Sequence, residues 1–176
     1  MSSHSRPRWL SVFERTNLVV IGLAAVAVLW TRSAGVAYVS AGAVACSLSV
    51  KVLKRGIRQP RPALGKKKTY GMPSTHSASI AHFVSSVLLA SLYLPLHPSV
   101  PGGDTARVVA PILVLPLAGT IAVSRVWLGH HTWTQVAAGC AYGVGWACLC
   151  FTLWTRGLNE YGRTIEQFFD ELFGWR

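Results

Sequence analysis

Three short segments of the chain carry side chains that could bind and transfer a phosphoryl group. Lys54 is followed after six residues by Arg61, residues 71–76 read GMPSTH, and Arg125 is followed after five residues by His131. The forked guanidinium of arginine matches the geometry of phosphate oxygens, and the lysine ammonium adds a compact positive charge. These residue types predict an anion site with imidazoles beside it.

The middle segment has the pattern of a helix start. Pro73 is predicted to occupy the first helical position. The backbone N–H groups of Ser74, Thr75 and His76 would then point out of a helix N-terminus, where the helix dipole favours an anion. With the three basic residues they would form a cup for one phosphoryl group.

Two histidines can divide the chemistry of phosphoryl transfer. One must be a neutral imidazole that attacks phosphorus, and the other must be protonated and donate to the departing oxygen. The spacing predicts His131 as the nucleophile, because Gln135 lies four residues on, where its amide oxygen can accept the other ring N–H. His76, beside the predicted helix N-terminus, is then the acid.

Long apolar stretches must position these residues. Five can be read, at residues 18–30, 36–53, 77–96, 108–123 and 136–154. A helix needs about 20 residues to cross the hydrocarbon core, with a range of about 17 to 25, so the first and fourth stretches are short. We predict an all-α integral membrane bundle of about five transmembrane helices.

Parity of the spans predicts where the loops emerge. Two spans separate the loop before residue 77 from the loop at 124–134, so both loops lie on the same side of the membrane. His76 and His131 can therefore meet. The loop at 95–104 and the C-terminal tail fall on the opposite side.

Composition agrees with a membrane protein that handles an anion. Of 176 residues 51% are hydrophobic and only 13% are charged, which excludes an ordinary soluble domain and intrinsic disorder. A net charge of +11 can indicate a protein that binds nucleic acid. Here the basic residues interrupt apolar runs, so we expect the bilayer and an anionic lipid as partners and no nucleic acid.

The acidic residues argue against metal catalysis. The six Asp and Glu residues lie near the N-terminus, in the loop at 95–104 and in the tail, and none is embedded in an apolar run. Mg²⁺ and Mn²⁺ sites need converging carboxylates. We therefore expect no metal site and no cofactor.

The chain divides into three predicted regions. Residues 1–16 form a basic N-terminal segment, 17–155 the transmembrane domain, and 156–176 an amphipathic tail at the membrane interface. The tail places its apolar residues on one helical face and its acids on the other. The apolar residues are Ile165, Phe168, Phe169, Leu172 and Phe173.

The patterns KxxxxxxRP, PSTH and SRxxxxxH together resemble the three signatures of the type 2 phosphatidic acid phosphatase superfamily, which includes vanadium haloperoxidases. They span residues 54–135. Within that superfamily the chain is most similar to the dolichyl diphosphatases, through RQPRP at 58–62, YGMPSTHS at 70–77 and HTWTQV at 131–136.

The resemblance implies hydrolysis of dolichyl diphosphate to dolichyl phosphate in the endoplasmic reticulum membrane, which recycles the glycan carrier. It implies a polyprenyl diphosphate substrate, acid catalysis by His76 and nucleophilic attack by His131. The implied phosphate contacts come from Lys54, Arg61, Ser74 and Arg125.

The chain departs from the superfamily pattern at two points. Gln135 replaces the usual Asp, a change that the dolichyl branch shares, and five spans are read where six helices are common. Two indications also disagree about the side of the membrane on which the site lies. The positive-inside rule places the site in the cytoplasm, whereas the resemblance implies the lumen. We adopt the lumen, because phosphate binding requires basic residues in either compartment.

Alternatives remain open. The enzyme could be a related lipid phosphatase acting on phosphatidate, a sphingoid phosphate or undecaprenyl diphosphate. A non-catalytic membrane scaffold or anion-conducting bundle would explain the basic loops without histidine chemistry. The remaining basic residues near residue 60 are expected to contact headgroups, although some could touch a second phosphate, and His130 is expected to be structural. The sequence leaves the oligomeric state undetermined.

Overall fold

The protein is a bundle of α-helices. The computed structural model describes residues 16–63, 69–97, 100 and 102–174, and this part contains no strand. The helices are α1 (Thr16–Thr31), α2 (Ala34–Ile57), α3 (Thr75–Tyr93), α4 (Asp104–Trp127), α5 (Trp133–Leu153) and α6 (Asn159–Phe173). The all-α prediction is confirmed. The basic segment predicted at residues 1–16 lies, but for Thr16, outside the described residues.

Two helices extend beyond their apolar stretches. Helix α2 continues to Ile57 and α4 to Trp127. Lys54 and Arg125 therefore lie in last helical turns and not in loops, as the sequence had suggested. Hydropathy marks only the lipid-buried part of a helix, and lysine and arginine are good helix formers whose charge is favourable at a helix C-terminus.

Within the part of the chain that the structure describes, three helices are long and apolar enough to cross a membrane. They are α2, α4 and the helical run that begins with α5 at Trp133. Helix α1 is shorter, with 16 residues. Helix α3 packs against α2, α4 and α5 and carries buried Ser77, His82 and Ser86, which lower its hydropathy. A helix enclosed by others needs less apolar surface than one that faces lipid.

Small residues bring α3 and α5 into close contact. Gly139 and Gly143 face α3, where a Cβ at Gly143 would overlap the carbonyl of Ala78. Ala147, one turn further on, is fully buried. This four-residue spacing of small residues is typical of helices that pack closely within a membrane. The contact sets the start of α3, with His76, beside the start of α5.

Replacing Gly143 by alanine is expected to lower the thermal stability of the detergent-solubilised protein. The added methyl group must displace the α3 backbone, and overpacking of this kind costs about 1–3 kcal/mol. Gly145→Ala on the same helix is the matched control, because a Cβ there meets nothing within 4 Å. Melting curves monitored by size-exclusion chromatography would measure both variants. Equal melting temperatures would contradict the tight α3–α5 contact.

The tail folds back on the end of the bundle opposite Lys54. A kink at Trp154–Leu158 separates α5 from α6, and Gly157 within it has a φ of 130°. The backbone N–H of Ala34, at the start of α2, donates to Glu166 of α6. The five apolar residues predicted on one face are all exposed. The placement of the tail at the membrane interface stays a prediction.

Candidate active site

One cavity gathers most of the predicted site residues at a single end of the bundle. Its volume is about 670 Å³. The residues that line it are Lys51, Lys54, Arg55, Arg61, Thr69, Tyr70, Thr75, His76, Arg125, His130 and His131. They come from the ends of α2 and α4, the start of α3, and the segments that follow α2 and α4. The convergence that parity predicted is therefore present.

A capping box at the start of α5 fixes the position of Gln135. The Thr132 side chain accepts a hydrogen bond from the Gln135 N–H, and the Gln135 Oε1 accepts from the Thr132 N–H, each at 3.3 Å. The sequence Thr-x-x-Gln forms such a box because each side chain satisfies a backbone donor of the first turn. Gln135 Oε1 also lies 3.1 Å from Nδ1 of His131.

The partners of Gln135 determine the tautomer of His131. The Gln135 Nε2 donates to Gln59 Oε1 at 3.1 Å and to the Pro60 carbonyl at 2.9 Å. The Oε1 therefore faces the ring, so Nδ1 must carry the hydrogen that Oε1 accepts. On the other side of the ring, Arg61 Nη1 lies 2.9 Å from Nε2. A guanidinium can only donate, so Nε2 presents a lone pair.

The imidazole of His131 is held neutral. Burial lowers its pKa to about 4, and the nearby charges of Arg61 and Lys54 act in the same direction. Hydrogen bonds to Gln135 and to the Gly71 backbone raise the pKa and offset part of this effect. The ring is 4% exposed. At neutral pH almost all of the protein therefore carries a His131 ring that can act as a nucleophile.

Arg61 is held by both sides of the cavity. Its Nε donates to the Thr69 carbonyl at 2.8 Å, and Nη2 donates to the Thr69 hydroxyl at 3.2 Å. Nη1 also donates to the His130 carbonyl at 2.9 Å. Partial burial lowers the pKa of the guanidinium, which stays charged. These bonds position a rigid pair of donors beside His131.

Two further cations are buried in the cavity wall. Lys54 is 6% exposed, and its Nζ donates to the Thr75 hydroxyl at 3.1 Å. Arg125 is 2% exposed, and its Nη2 donates at 3.1 Å to the hydroxyls of Ser124 and Thr16. Both side chains thus bring a positive charge to the lining of the cavity.

Helix α3 begins two residues later than predicted. Its first helical residue is Thr75, not Pro73, and Ser74 is the N-cap, since its hydroxyl accepts from the Ser77 N–H. Serine is strongly preferred at this position. The Ser74 N–H donates to the Gln135 carbonyl at 3.0 Å, and the residue is fully buried. Ser74 does not line the cavity, and its assignment to phosphate binding stays a prediction. Thr75 and His76 do line it.

Three contacts of the site were not predicted from the sequence. Thr69 holds Arg61, Thr16 contacts Arg125, and Gln59, from the RQPRP segment, orients the Gln135 amide. The second and third contacts join residues that are far apart in sequence, so no local pattern predicts them. His130, predicted to be structural, lines the cavity.

The cavity is suited to a polyanion. Five of its lining residues are Lys or Arg, and no described lining residue is Asp or Glu. Within the described ranges no three His, Cys, Asp or Glu side chains lie together as metal ligands. The fold and the cavity thus define an all-helical membrane protein with a strongly cationic site at one end of its bundle. The chain belongs to the PAP2 superfamily of phosphatases, whose profile matches residues 30–158. The resemblance found in the three motifs is confirmed.

Relatives with assigned names agree with this family. The chain is 36% identical over 113 residues to Dolichyldiphosphatase 1 of Dictyostelium discoideum, covering 62% of this chain and 46% of that protein. It is 36% identical over 101 residues to Dolichyldiphosphatase 1 of Homo sapiens, covering 50% and 40%. It is 31% identical over 119 residues to the chloroplastic Lipid phosphate phosphatase epsilon 1 of Arabidopsis thaliana, covering 68% and 40%. The chain spans less than half the length of each of these relatives. No solved structure matches it.

Proposed function

We propose that the protein hydrolyses dolichyl diphosphate to dolichyl phosphate and inorganic phosphate through a phosphohistidine on His131. The observation that supports this most strongly is the environment of that ring. Its Nδ1–H is directed to Gln135 Oε1, its Nε2 lone pair faces the cavity beside Arg61, and its pKa lies near 4. A purely structural histidine would not need to direct its lone pair into a cavity lined by cations.

In the first step Nε2 of His131 attacks the distal phosphorus of the diphosphate. The P–N bond forms, the bond from that phosphorus to the bridging oxygen breaks, and His76 gives its proton to the bridging oxygen. In the structure Arg61 donates a hydrogen bond to Nε2. The incoming phosphate must accept that hydrogen bond in place of Nε2 before the attack can occur. Substrate binding would thereby expose the nucleophile and place a guanidinium on the phosphoryl group at the same time.

In the second step water hydrolyses the phosphohistidine. His76, now neutral, accepts a proton from water as its oxygen bonds to phosphorus. The P–N bond breaks, its electron pair returns to Nε2, and inorganic phosphate leaves. Gln135 Oε1 holds the Nδ1–H throughout and so orients the ring, while the negative phosphoryl oxygens offset the imidazolium charge.

Positive side chains supply the charge stabilisation that a metal would otherwise give. Phosphoryl transfer depends mainly on positioning and on neutralising the phosphoryl oxygens. Lys54, Arg61 and Arg125 line the cavity and can serve that purpose. We therefore propose that the reaction needs no divalent cation.

The named relatives support the proposed lipid substrate, since two of them are named dolichyldiphosphatases. The third is named a lipid phosphate phosphatase. A monophosphate lipid such as phosphatidate is therefore the second candidate substrate. The lumenal face of the endoplasmic reticulum membrane stays a prediction from the motif resemblance.

Phosphate release from the purified protein tests the proposal. The substrates are dolichyl diphosphate, dolichyl phosphate and phosphatidate, each with and without EDTA. We expect release from dolichyl diphosphate at an unchanged rate in EDTA. A clear preference for phosphatidate would favour the second candidate, and strong inhibition by EDTA would contradict the metal-independent mechanism.

A further inference from the structure

Two basic residues of the cavity are not specified by the superfamily motifs, since one precedes the first motif and the other occupies one of its variable positions. Lys51 and Arg55 occupy the last two turns of α2, and both line the cavity. Unlike Lys54 between them, both are exposed. They therefore form the outer rim of the cavity, whereas Lys54 and Arg125 form its buried wall.

The rim residues continue an apolar stripe on α2. Val44, Leu48, Lys51 and Arg55 are separated by four, three and four residues, which places them on one helical face. Val44 is 61% exposed and Leu48 is 54% exposed. In a membrane this face lies against lipid chains, so the stripe leads from the hydrocarbon region to two cations at the cavity mouth.

Charge in the cavity exceeds what one phosphoryl group requires. Lys54, Arg61 and Arg125 already line the cavity together with His131 and can serve the reacting phosphate. A cavity of about 670 Å³ lies well within the range of about 300–1,000 Å³ for ligand sites and has room for a second phosphate. The lipid of a polyprenyl diphosphate is attached to that second phosphate, which must lie between the reacting group and the bilayer.

We propose that Lys51 and Arg55 bind the lipid-attached phosphate of the substrate and so give the enzyme its preference for diphosphates over monophosphates. This inference rests on the proposed function. The prenyl chain then runs along the α2 face that carries Val44 and Leu48. The inner cations hold the phosphate that is transferred, and the rim cations hold the one that stays.

Long basic side chains at the end of a membrane helix can also contact lipid headgroups. The two roles differ in a measurable way. Headgroup contacts would influence every ligand of the cavity alike and would depend on anionic lipid. A second phosphate site would influence only ligands with two phosphates, even in nonionic detergent.

Inhibition by inorganic phosphate and by pyrophosphate separates these roles. The variants are Lys51→Gln, Arg55→Gln and the double variant, assayed in nonionic detergent. Arg58→Gln is the matched control, because Arg58 carries the same charge on the same segment and does not line the cavity. A charge-assisted hydrogen bond is worth on the order of ten-fold in binding. We therefore expect each rim variant to raise the pyrophosphate Ki and the polyprenyl diphosphate KM about ten-fold, with the phosphate Ki unchanged.

Each contrary result has a distinct meaning. An equal rise in both inhibition constants, an equal effect of Arg58→Gln, or no change at all would overturn the second phosphate site. An unchanged phosphate Ki also shows that the variants are folded. If the wild-type protein does not hydrolyse polyprenyl diphosphates, the proposed function fails, while the comparison of phosphate and pyrophosphate still decides the rim site.

Discussion

His131→Ala is expected to reduce turnover of the diphosphate substrate by about 10⁴-fold or more, the scale seen when a covalent nucleophile is removed. The physical reason is that no other described ring nitrogen is prepared as this one is. Its lone pair faces the cavity, its tautomer is set by Gln135, and burial keeps it neutral. The measurement is steady-state phosphate release together with covalent labelling from substrate that carries ³²P in its distal phosphate.

The labelled wild-type protein should release its phosphate in acid and keep it in base, as a P–N bond does, and the His131→Ala protein should carry no label. His130→Ala is the matched control. It removes a neighbouring imidazole that also lines the cavity, yet it preserves the backbone carbonyl that accepts from Arg61. Label that persisted in His131→Ala would place the nucleophile elsewhere.

The pKa of His131 adds a pH readout to this prediction. Because burial favours the neutral ring, the reactive form is lost only as the pH falls towards about 4. The pH dependence of kcat/KM reports the pKa values of groups in the free enzyme. We therefore expect the fall of kcat/KM at low pH that His131 causes to lie near pH 4, well below the ordinary histidine value. If protonation of His131 instead lowered kcat/KM near pH 6.5, the result would contradict a ring that is buried and flanked by cations.

His76→Asn is expected to lower kcat/KM for the diphosphate by about 10²- to 10⁴-fold, the usual contribution of a general acid. His76 lines the cavity at the first turn of α3, and the proposed mechanism assigns it the proton that the bridging oxygen receives. Asparagine keeps a similar shape and removes the transferable proton. The alkaline limb of the pH profile should disappear with it.

Leaving-group chemistry distinguishes this role from simple positioning. When an aryl phosphate has an acidic phenol, the phenolate leaves without being protonated. His76→Asn should therefore form phosphoenzyme from such a substrate at nearly the wild-type rate. His131→Ala should remain inactive with the same substrate. An equal defect of His76→Asn with both kinds of substrate would mean that His76 binds the phosphate or supports the fold and does not donate a proton.

Much of this site could be predicted without coordinates because its signals are local. Guanidinium, ammonium and imidazole groups at fixed spacings identify phosphate chemistry. The predicted contact of His131 with Gln135 is present at 3.1 Å, although His131 precedes α5 and the capping box, not a shared helical face, positions the amide. The number of spans between two loops decides which loops share a side of the membrane. The count predicted that His76 and His131 can meet, and both line the same cavity.

Helix ends and rim residues could not be predicted in the same way. Hydropathy located the lipid-buried part of α2 but not its continuation to Ile57, so Arg55 fell beyond the predicted stretch although it lies on the helix. The start of α3 was predicted at Pro73, two residues before the observed first helical residue Thr75, because the Ser74 cap depends on hydrogen bonds that composition does not reveal.

The amino-acid sequence by itself determined the class of fold, the side of the bundle that carries chemistry, and the residue types that meet there, since these depend on bilayer thickness, span parity and side-chain pKa values. Only the tertiary structure decided the orientation of the Gln135 amide, the bond from Arg61 to the lone pair of His131, and the place of Lys51 and Arg55 at the rim. Each of these depends on partners brought together by packing, such as Gln59 with Gln135, and hydrogen-bond geometry between distant segments exists only after the helices have assembled.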